Sequence, residues 1–206
     1  MPHRTLLRNL EESIQAKQLM LKDTACMEAF TACCDLVLQC YRNGGRLYIC
    51  GNGGSAADAQ HLAAEFVGRL ASDRAPLPAE ALTIDSSVLT AISNDYGFGK
   101  VFSRQVYAKL RPDDLLLGIT TSGNSDNIRQ ALWACRKIGN KSIIFTGKGG
   151  GEIAKNREAD ILVSVPVEKT STIQELHITL HHSLCEYIES SLFPIQDKTS
   201  AANLVE

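Results

Sequence analysis

Short apolar runs alternate with segments of helical periodicity through most of this chain. The runs are RLYIC at 46–50, EALTI at 80–84, LLLGIT at 115–120, SIIFT at 142–146 and ILVSV at 161–165. Strands that alternate with helices pair in parallel, and helices normally cover both faces of a parallel sheet. The pattern therefore predicts an α/β fold.

Helical patterns account for most of the remaining chain. They span 3–22, 24–43, 55–70, 86–94, 125–138, 151–156 and 171–192. A chain of 206 residues with 44% hydrophobic content can bury one sizeable core. We therefore expect a single domain over residues 1–206 that includes the N-terminal helices at about 3–43.

The net charge, the hydropathy and the cysteine content of the chain exclude several classes of protein. A formal net charge of -2 gives no general attraction to nucleic acid or to anionic membranes. No apolar stretch approaches the roughly 20 residues that a bilayer requires, so we expect a cytoplasmic protein with no membrane or nucleic-acid partner.

The seven cysteines lack C-x-x-C spacing and are expected to be reduced core residues.

Two loops at strand ends are unusual. Gly51-Asn52-Gly53-Gly54 follows the first strand, and Ser55 with Asp58 has the spacing of a capping box, so we expect Ser55 to begin the helix. Thr120-Thr121-Ser122-Gly123-Asn124-Ser125 follows the third run. Hydroxyls and free amides at one edge of a sheet suit a phosphate monoester. Ordinary turn and cap chemistry is the alternative for either loop alone.

Neither of two common nucleotide-binding motifs is complete in this sequence. Residues 51–56 satisfy G-x-G-x-x-A, but the acidic residue expected about 20 positions later, Asp73, lies in a proline-bearing loop. Gly147-Lys148-Gly149 lacks both the hydroxyl residue and the upstream glycine of a P-loop. No nucleotide cofactor is expected.

Two helices carry residues suited to proton transfer or metal binding. His61 and Glu65 share one helix face, where a carboxylate among apolar neighbours suits a general base. In TIQELHITLHH, the i, i+4 spacing favours His177 with His181 as a metal or catalytic pair. A solvated helix face for the first pair and packed core histidines for the second are the alternatives.

Together these motifs resemble the phosphoheptose isomerases, which are sugar isomerase (SIS) domain enzymes. The resemblance runs from about residue 5 to 193. It rests on residues 51–55, His61 with Glu65, residues 93–98, residues 120–125, residues 146–148, Gln174-Glu175 and His182.

The resemblance implies a three-layer SIS fold with a five-stranded parallel sheet, assembled as a homotetramer whose active sites lie between subunits. It implies conversion of sedoheptulose 7-phosphate to D-glycero-D-manno-heptose 7-phosphate through an enediol, for bacterial heptose biosynthesis. The implied catalytic pair is Glu65 and His182. The implied substrate contacts are Asn52, Gly53, Gly54, Ser55, Glu65, Asn94, Asp95, Thr120, Thr121, Ser122, Ser125 and Gln174.

The resemblance also implies an optional zinc ion held by His61, Glu65, Gln174 and His182. The resemblance assigns the catalytic and metal-binding role to His182 and leaves His177 and His181 without an assigned role. The chain departs from the pattern at Ser171, where some members have aspartate.

The sequence leaves two alternative functions open. One is a tetrameric SIS scaffold that binds the bacterial replication initiator, suggested by residues 12–15 and 191–194; such scaffolds typically lack the acid-base pair. The other is isomerisation of a different sugar phosphate, such as a hexose phosphate. A sugar-sensing transcription regulator would need an additional DNA-binding domain.

Overall fold

The computed structural model of the chain describes residues 2–194. Within them, five strands are present: β1 (Leu47–Gly51), β2 (Ala79–Ala81), β3 (Leu115–Thr120), β4 (Lys141–Thr146) and β5 (Ile161–Ser164). They form one sheet in the order β2-β1-β3-β4-β5, and every pairing is parallel. The predicted α/β fold with a five-stranded parallel sheet is confirmed.

Eight α-helices surround the sheet in this part of the chain. They are α1 (Pro2–Met20), α2 (Thr24–Arg42), α3 (Gly54–Val67), α4 (Ser86–Tyr96), α5 (Ser103–Lys109), α6 (Asp126–Lys137), α7 (Gly151–Lys155) and α8 (Thr170–Leu192). Helix α5 was not predicted, because seven residues are too few to show a clear period. Strand β2 is shorter than the predicted 80–84, since this edge strand pairs only with the first three residues of β1.

Each face of the sheet has its own core. Leu47 and Ile49 point into a core that α2, α3 and α8 complete, whereas Tyr48 and Cys50 point into one built with α5 and α6. Successive residues of a strand point to opposite faces, so one strand serves both layers. All seven cysteines are buried free thiols, which confirms their prediction as reduced core residues.

The strand order places a crevice between the ends of β1 and β3. From β1 the chain crosses to β2 on one side, and β3 then pairs on the other side of β1. Ligands of open parallel sheets bind at such a switch point, beyond the carboxyl ends of the strands. Across residues 2–194, none of the helices combines the length and hydropathy needed to cross a bilayer.

Candidate active site

The loop after β1 turns sharply into α3. Gly53 has a φ of +56°, and a Cβ at Gly51 would lie 2.3 Å from the carbonyl oxygen of Ser55. Both positions therefore require glycine. The capping box predicted for Ser55 and Asp58 is wrong, because Gly53 is the N-cap and no side chain caps the helix. The left-handed backbone at Gly53 starts α3 earlier and places Ser55 in its first turn, where Ser55 is buried.

The loop after β3 forms the facing wall. The hydroxyl groups of Thr120 and Ser125 are hydrogen-bonded at 3.1 Å, and the backbone N–H of Asn124 donates to Ser122 Oγ at 3.2 Å. Ser125 is the N-cap of α6, but its side chain makes no capping bond. The serine hydroxyl is therefore directed at Thr120 and leaves the first amides of α6 without a side-chain acceptor.

A pocket of about 210 Å³ lies between these loops. Its lining residues are Asn52, Gly54, Ser55, Ile119, Thr120, Thr121, Ser122, Ser125, Thr170 and Gln174. We call it the hydroxyl pocket. The N-terminal residues of α3 and α8 and the N-cap of α6 all contribute to it. Three helix N-termini supply free N–H groups and positive partial charge, so the pocket suits an anion even though no lysine or arginine lines it.

Two residues that support or line the pocket were not identified from the sequence. The side-chain amides of Asn52 and Asn127 exchange two hydrogen bonds of 2.8 Å, and Asn127 is buried. This pairing joins the loop after β1 to α6. Thr170 also lines the pocket, and its i, i+4 spacing to Gln174 was an available signal. Ser171, where the chain departs from the family pattern, is exposed and is not among the lining residues.

A second cluster lies further along the adjacent helices α3 and α8. The His61 Nε2–H donates to Glu65 Oε1 at 3.0 Å, and the His182 ring stands edge-on to the His61 ring with centroids 5.3 Å apart. The Glu65 side chain is 18% exposed and that of His61 is 41% exposed. His61 and Glu65 follow Gly54 by about 10 and 16 Å of helix rise. The cluster is therefore separate from the hydroxyl pocket but accessible.

The donor atoms of His61, Glu65 and His182 fit a metal ion. Each residue offers one ligand atom, and these atoms lie within 4.8 Å of one another. Tetrahedral zinc with bonds of about 2.1 Å needs ligand atoms about 3.4 Å apart, so small side-chain rotations suffice. Two imidazole nitrogens and one carboxylate are typical zinc donors. Gln174, the fourth predicted ligand, lies on the wall of the hydroxyl pocket against Gly54.

The spacing argument for His177 and His181 is wrong. Both rings are buried against the sheet: His177 Nε2–H donates to the Thr146 carbonyl oxygen at 3.2 Å, and His181 stacks on Phe145 at 5.5 Å. Burial lowers the pKa of His177 to about 4 and that of His181 to about 3. Helical spacing identifies which residues share a face, but it does not say whether that face points inward.

The structure does not bring every predicted contact to the pocket. Asn94 and Asp95 are exposed on α4, where the amide of Asn94 donates to Asp95 Oδ1 at 2.8 Å. Helix α4 has no buried residue. Gly53 also lies outside the pocket lining and serves as the N-cap of α3. Glu65 lies in the cluster with His61, outside the pocket lining. Eight of the predicted contacts line the hydroxyl pocket: Asn52, Gly54, Ser55, Thr120, Thr121, Ser122, Ser125 and Gln174.

The fold and the two-part site define the chain as an SIS-domain protein, and the family model for the SIS domain matches residues 12–147. Phosphoheptose isomerase from Roseiflexus sp. is 47% identical over 190 residues, with 92% of this chain and 94% of the relative covered. The chain belongs to the phosphoheptose isomerase family.

Solved structures agree with this membership. Phosphoheptose isomerase GmhA from Neisseria gonorrhoeae superposes with a TM-score of 0.85 at 45% identity, covering 92% of this chain and 100% of that one. A phosphoheptose isomerase from Francisella tularensis superposes with a TM-score of 0.86 at 36% identity, covering 92% and 99%. The predicted family and SIS fold are thereby confirmed.

Proposed function

We propose that this chain is an aldose-ketose isomerase that converts sedoheptulose 7-phosphate into D-glycero-D-manno-heptose 7-phosphate, a reaction of bacterial heptose biosynthesis. The observation that carries the proposal is the pairing of an anion pocket with a carboxylate-imidazole cluster on the adjacent helices α3 and α8. Its membership of the phosphoheptose isomerases supports the same reaction.

The hydroxyl pocket holds the phosphate end of the substrate. Ser122 and Ser125 supply hydroxyl groups, and the starts of α3, α6 and α8 supply N–H groups and positive partial charge. Gln174 and Asn52 are proposed to contact the sugar. Binding energy gained at the phosphate orients the reacting carbons at the far end of the molecule.

The reaction moves two hydrogens. A proton leaves C1 of the ketose to give a cis-enediol, and a proton then arrives at C2, while the proton on O1 is lost and O2 gains one. We assign the carbon-bound proton to Glu65, and its hydrogen bond with His61 and its partial exposure support this role. His182 is proposed to move protons on the other side of the sugar or between O1 and O2. This mechanism requires each group to come within hydrogen-bonding reach of the proton that it moves.

We propose that an optional zinc ion is bound by four ligands, namely His61, Glu65, Gln174 and His182. A zinc ion bound there would orient and polarise the sugar oxygens. Ligation would occupy lone pairs that Glu65 and His182 need for proton transfer, so we expect the metal-free protein to remain folded and active.

A homotetramer is proposed as the working form. Leu6, Leu7, Leu10 and Ile14 are each more than half exposed on α1, so this helix presents an apolar face that a second copy can cover. The exposed Asn94 and Asp95 would then complete the site of a neighbouring subunit. The single SIS domain over residues 1–206 and the cytoplasmic location also stay proposals.

The scaffold alternative has less support. The similar proteins described above are all named phosphoheptose isomerases, and the chain keeps Glu65 and His182. Of the segments that suggested the scaffold, residues 12–15 lie on α1 and residues 191–194 end the part of the chain that the structure describes.

Turnover of sedoheptulose 7-phosphate, followed by NMR, tests the proposal. We expect aldose formation by the purified protein and loss of turnover in Glu65→Gln, which is nearly isosteric but cannot accept the proton. The matched control is Glu186→Gln, which alters an exposed carboxylate on α8. Glu65→Gln activity within a fewfold of the wild type would refute the role of Glu65. An inactive wild-type tetramer would favour the scaffold.

A further inference from the structure

A buried ion pair joins the two helices that carry the proposed catalytic residues. Arg74 lies in the loop after α3, and Glu189 lies in the last turns of α8. Their side chains are 1% and 5% exposed, and Arg74 Nε–H donates to Glu189 Oε1 at 3.0 Å. A charged pair at this depth is costly to desolvate, so it needs many compensating bonds.

The remaining donors of Arg74 bond mainly to carbonyl oxygens at the end of α3, and Nη1 also donates to the Ala75 carbonyl oxygen at 3.1 Å. Its Nη2 donates to the carbonyl oxygen of Glu65 at 2.8 Å, and its Nη1 donates to those of Phe66 at 2.6 Å and Gly68 at 3.2 Å. The last carbonyls of a helix have no partner within the helix, and a positive charge there also matches the helix dipole. The guanidinium therefore fixes the backbone of the residue that is proposed to move the carbon-bound proton.

Glu189 fixes the same loop from the side of α8. Its carboxylate accepts the backbone N–H groups of Leu70 at 3.0 Å, Ala71 at 3.2 Å and Ser72 at 3.3 Å. Glu189 follows His182 by two turns, about 10 Å along α8. The pair thus connects the backbone of Glu65 to the helix that carries His182.

We propose that Arg74 and Glu189 are positioning residues that set the separation between Glu65 and His182. This inference rests on the proposed function, because it assumes that those two residues transfer the protons. Neither member of the pair reaches the hydroxyl pocket, which lies at the opposite ends of α3 and α8. Loss of the pair should therefore lower kcat and leave the KM for the sugar phosphate nearly unchanged.

The test is the neutral double variant Arg74→Gln/Glu189→Gln, which removes both charges without leaving one of them buried alone. We expect its kcat to fall about tenfold to a hundredfold at a nearly unchanged KM, measured well below its melting temperature, since displacements of about 1 Å cost that much. The matched control is Arg129→Gln/Glu158→Gln, which removes another Arg–Glu pair remote from α3 and α8 and should leave kcat unchanged.

A second variant covers the possibility that the double variant does not fold. Arg74→Lys keeps the buried charge but lacks the planar fork that reaches Glu189 and the α3 carbonyls together. It should show the same fall in kcat. A wild-type kcat in either folded variant, with only a lower melting temperature, would overturn the positioning role. An inactive wild-type protein would instead refute the proposed function.

Discussion

Replacing His177 by glutamine should change how stability depends on pH. His177 is buried, and burial lowers its pKa to about 4, whereas an unfolded histidine titrates near 6.5. Between these values the unfolded chain binds a proton that the folded protein does not bind. Stability therefore falls as the pH drops below 6.5, and this contribution continues until the pH reaches the folded pKa.

The size of the effect follows from the two pKa values. Between pH 7.5 and 5.0, His177 should lower the free energy of unfolding by about 2 kcal/mol, at 1.36 kcal/mol per unit. Glutamine cannot titrate, and its amide can still donate to the Thr146 carbonyl oxygen, which also accepts the N–H of Val165 at 2.9 Å. The variant should therefore keep its fold and lose this part of the pH dependence.

Denaturant unfolding followed by circular dichroism is the assay, at one protein concentration and at several pH values from 7.5 to 5.0. The wild type should lose about 2 kcal/mol more than His177→Gln over this range. His3→Gln, which removes an exposed histidine on α1, should behave like the wild type. Parallel curves for the wild type and His177→Gln would refute the argument, because they would mean that His177 titrates alike in both states.

Three further predictions concern the site. Gly54→Ala should raise the KM for sedoheptulose 7-phosphate about tenfold in steady-state kinetics, because the new Cβ would lie 2.2 Å from Gln174 Nε2 and displace that side chain; an unchanged KM would show that Gln174 does not contact the substrate. Ser125→Ala should weaken competitive inhibition by inorganic phosphate about tenfold, since it removes one hydroxyl donor to an anion; equal inhibition would place the phosphate elsewhere. Removal of metal by a chelator should leave melting temperature and turnover unchanged; loss of activity that only zinc restores would show that the ion is catalytic.

Local patterns were sufficient to predict the fold class. Parallel strands such as β3 are buried on both faces, so their apolar runs stand out. The glycines around Asn52 and the hydroxyls of residues 120–125 likewise indicated where a ligand binds, since strand ends meet at one sheet edge. The order of the strands, by contrast, depends on pairings between distant segments, which no local period encodes.

The composition of the acid-base cluster was harder to predict from physical principles. His182 meets His61 only because α8 packs beside α3 with His177 and His181 turned toward the sheet. The direction of a helix face depends on its neighbours, and the sequence resemblance selected His182 where spacing did not. The partners of Arg74 could not be found either, because Glu189 is distant in sequence and buried charges follow no periodic pattern.

Solvent deuterium incorporation tests the central claim most directly. When sedoheptulose 7-phosphate is incubated with the protein in D₂O, an enediol mechanism delivers a solvent-derived hydrogen to C2, because the partly exposed Glu65 can exchange its proton. We predict an aldose 7-phosphate that carries deuterium at C2, and no such product with Glu65→Gln. An aldose product without deuterium at C2 would contradict proton exchange at a solvent-accessible Glu65, since the hydrogen from C1 would then have reached C2 without equilibrating with solvent. Absence of any aldose would contradict the function itself.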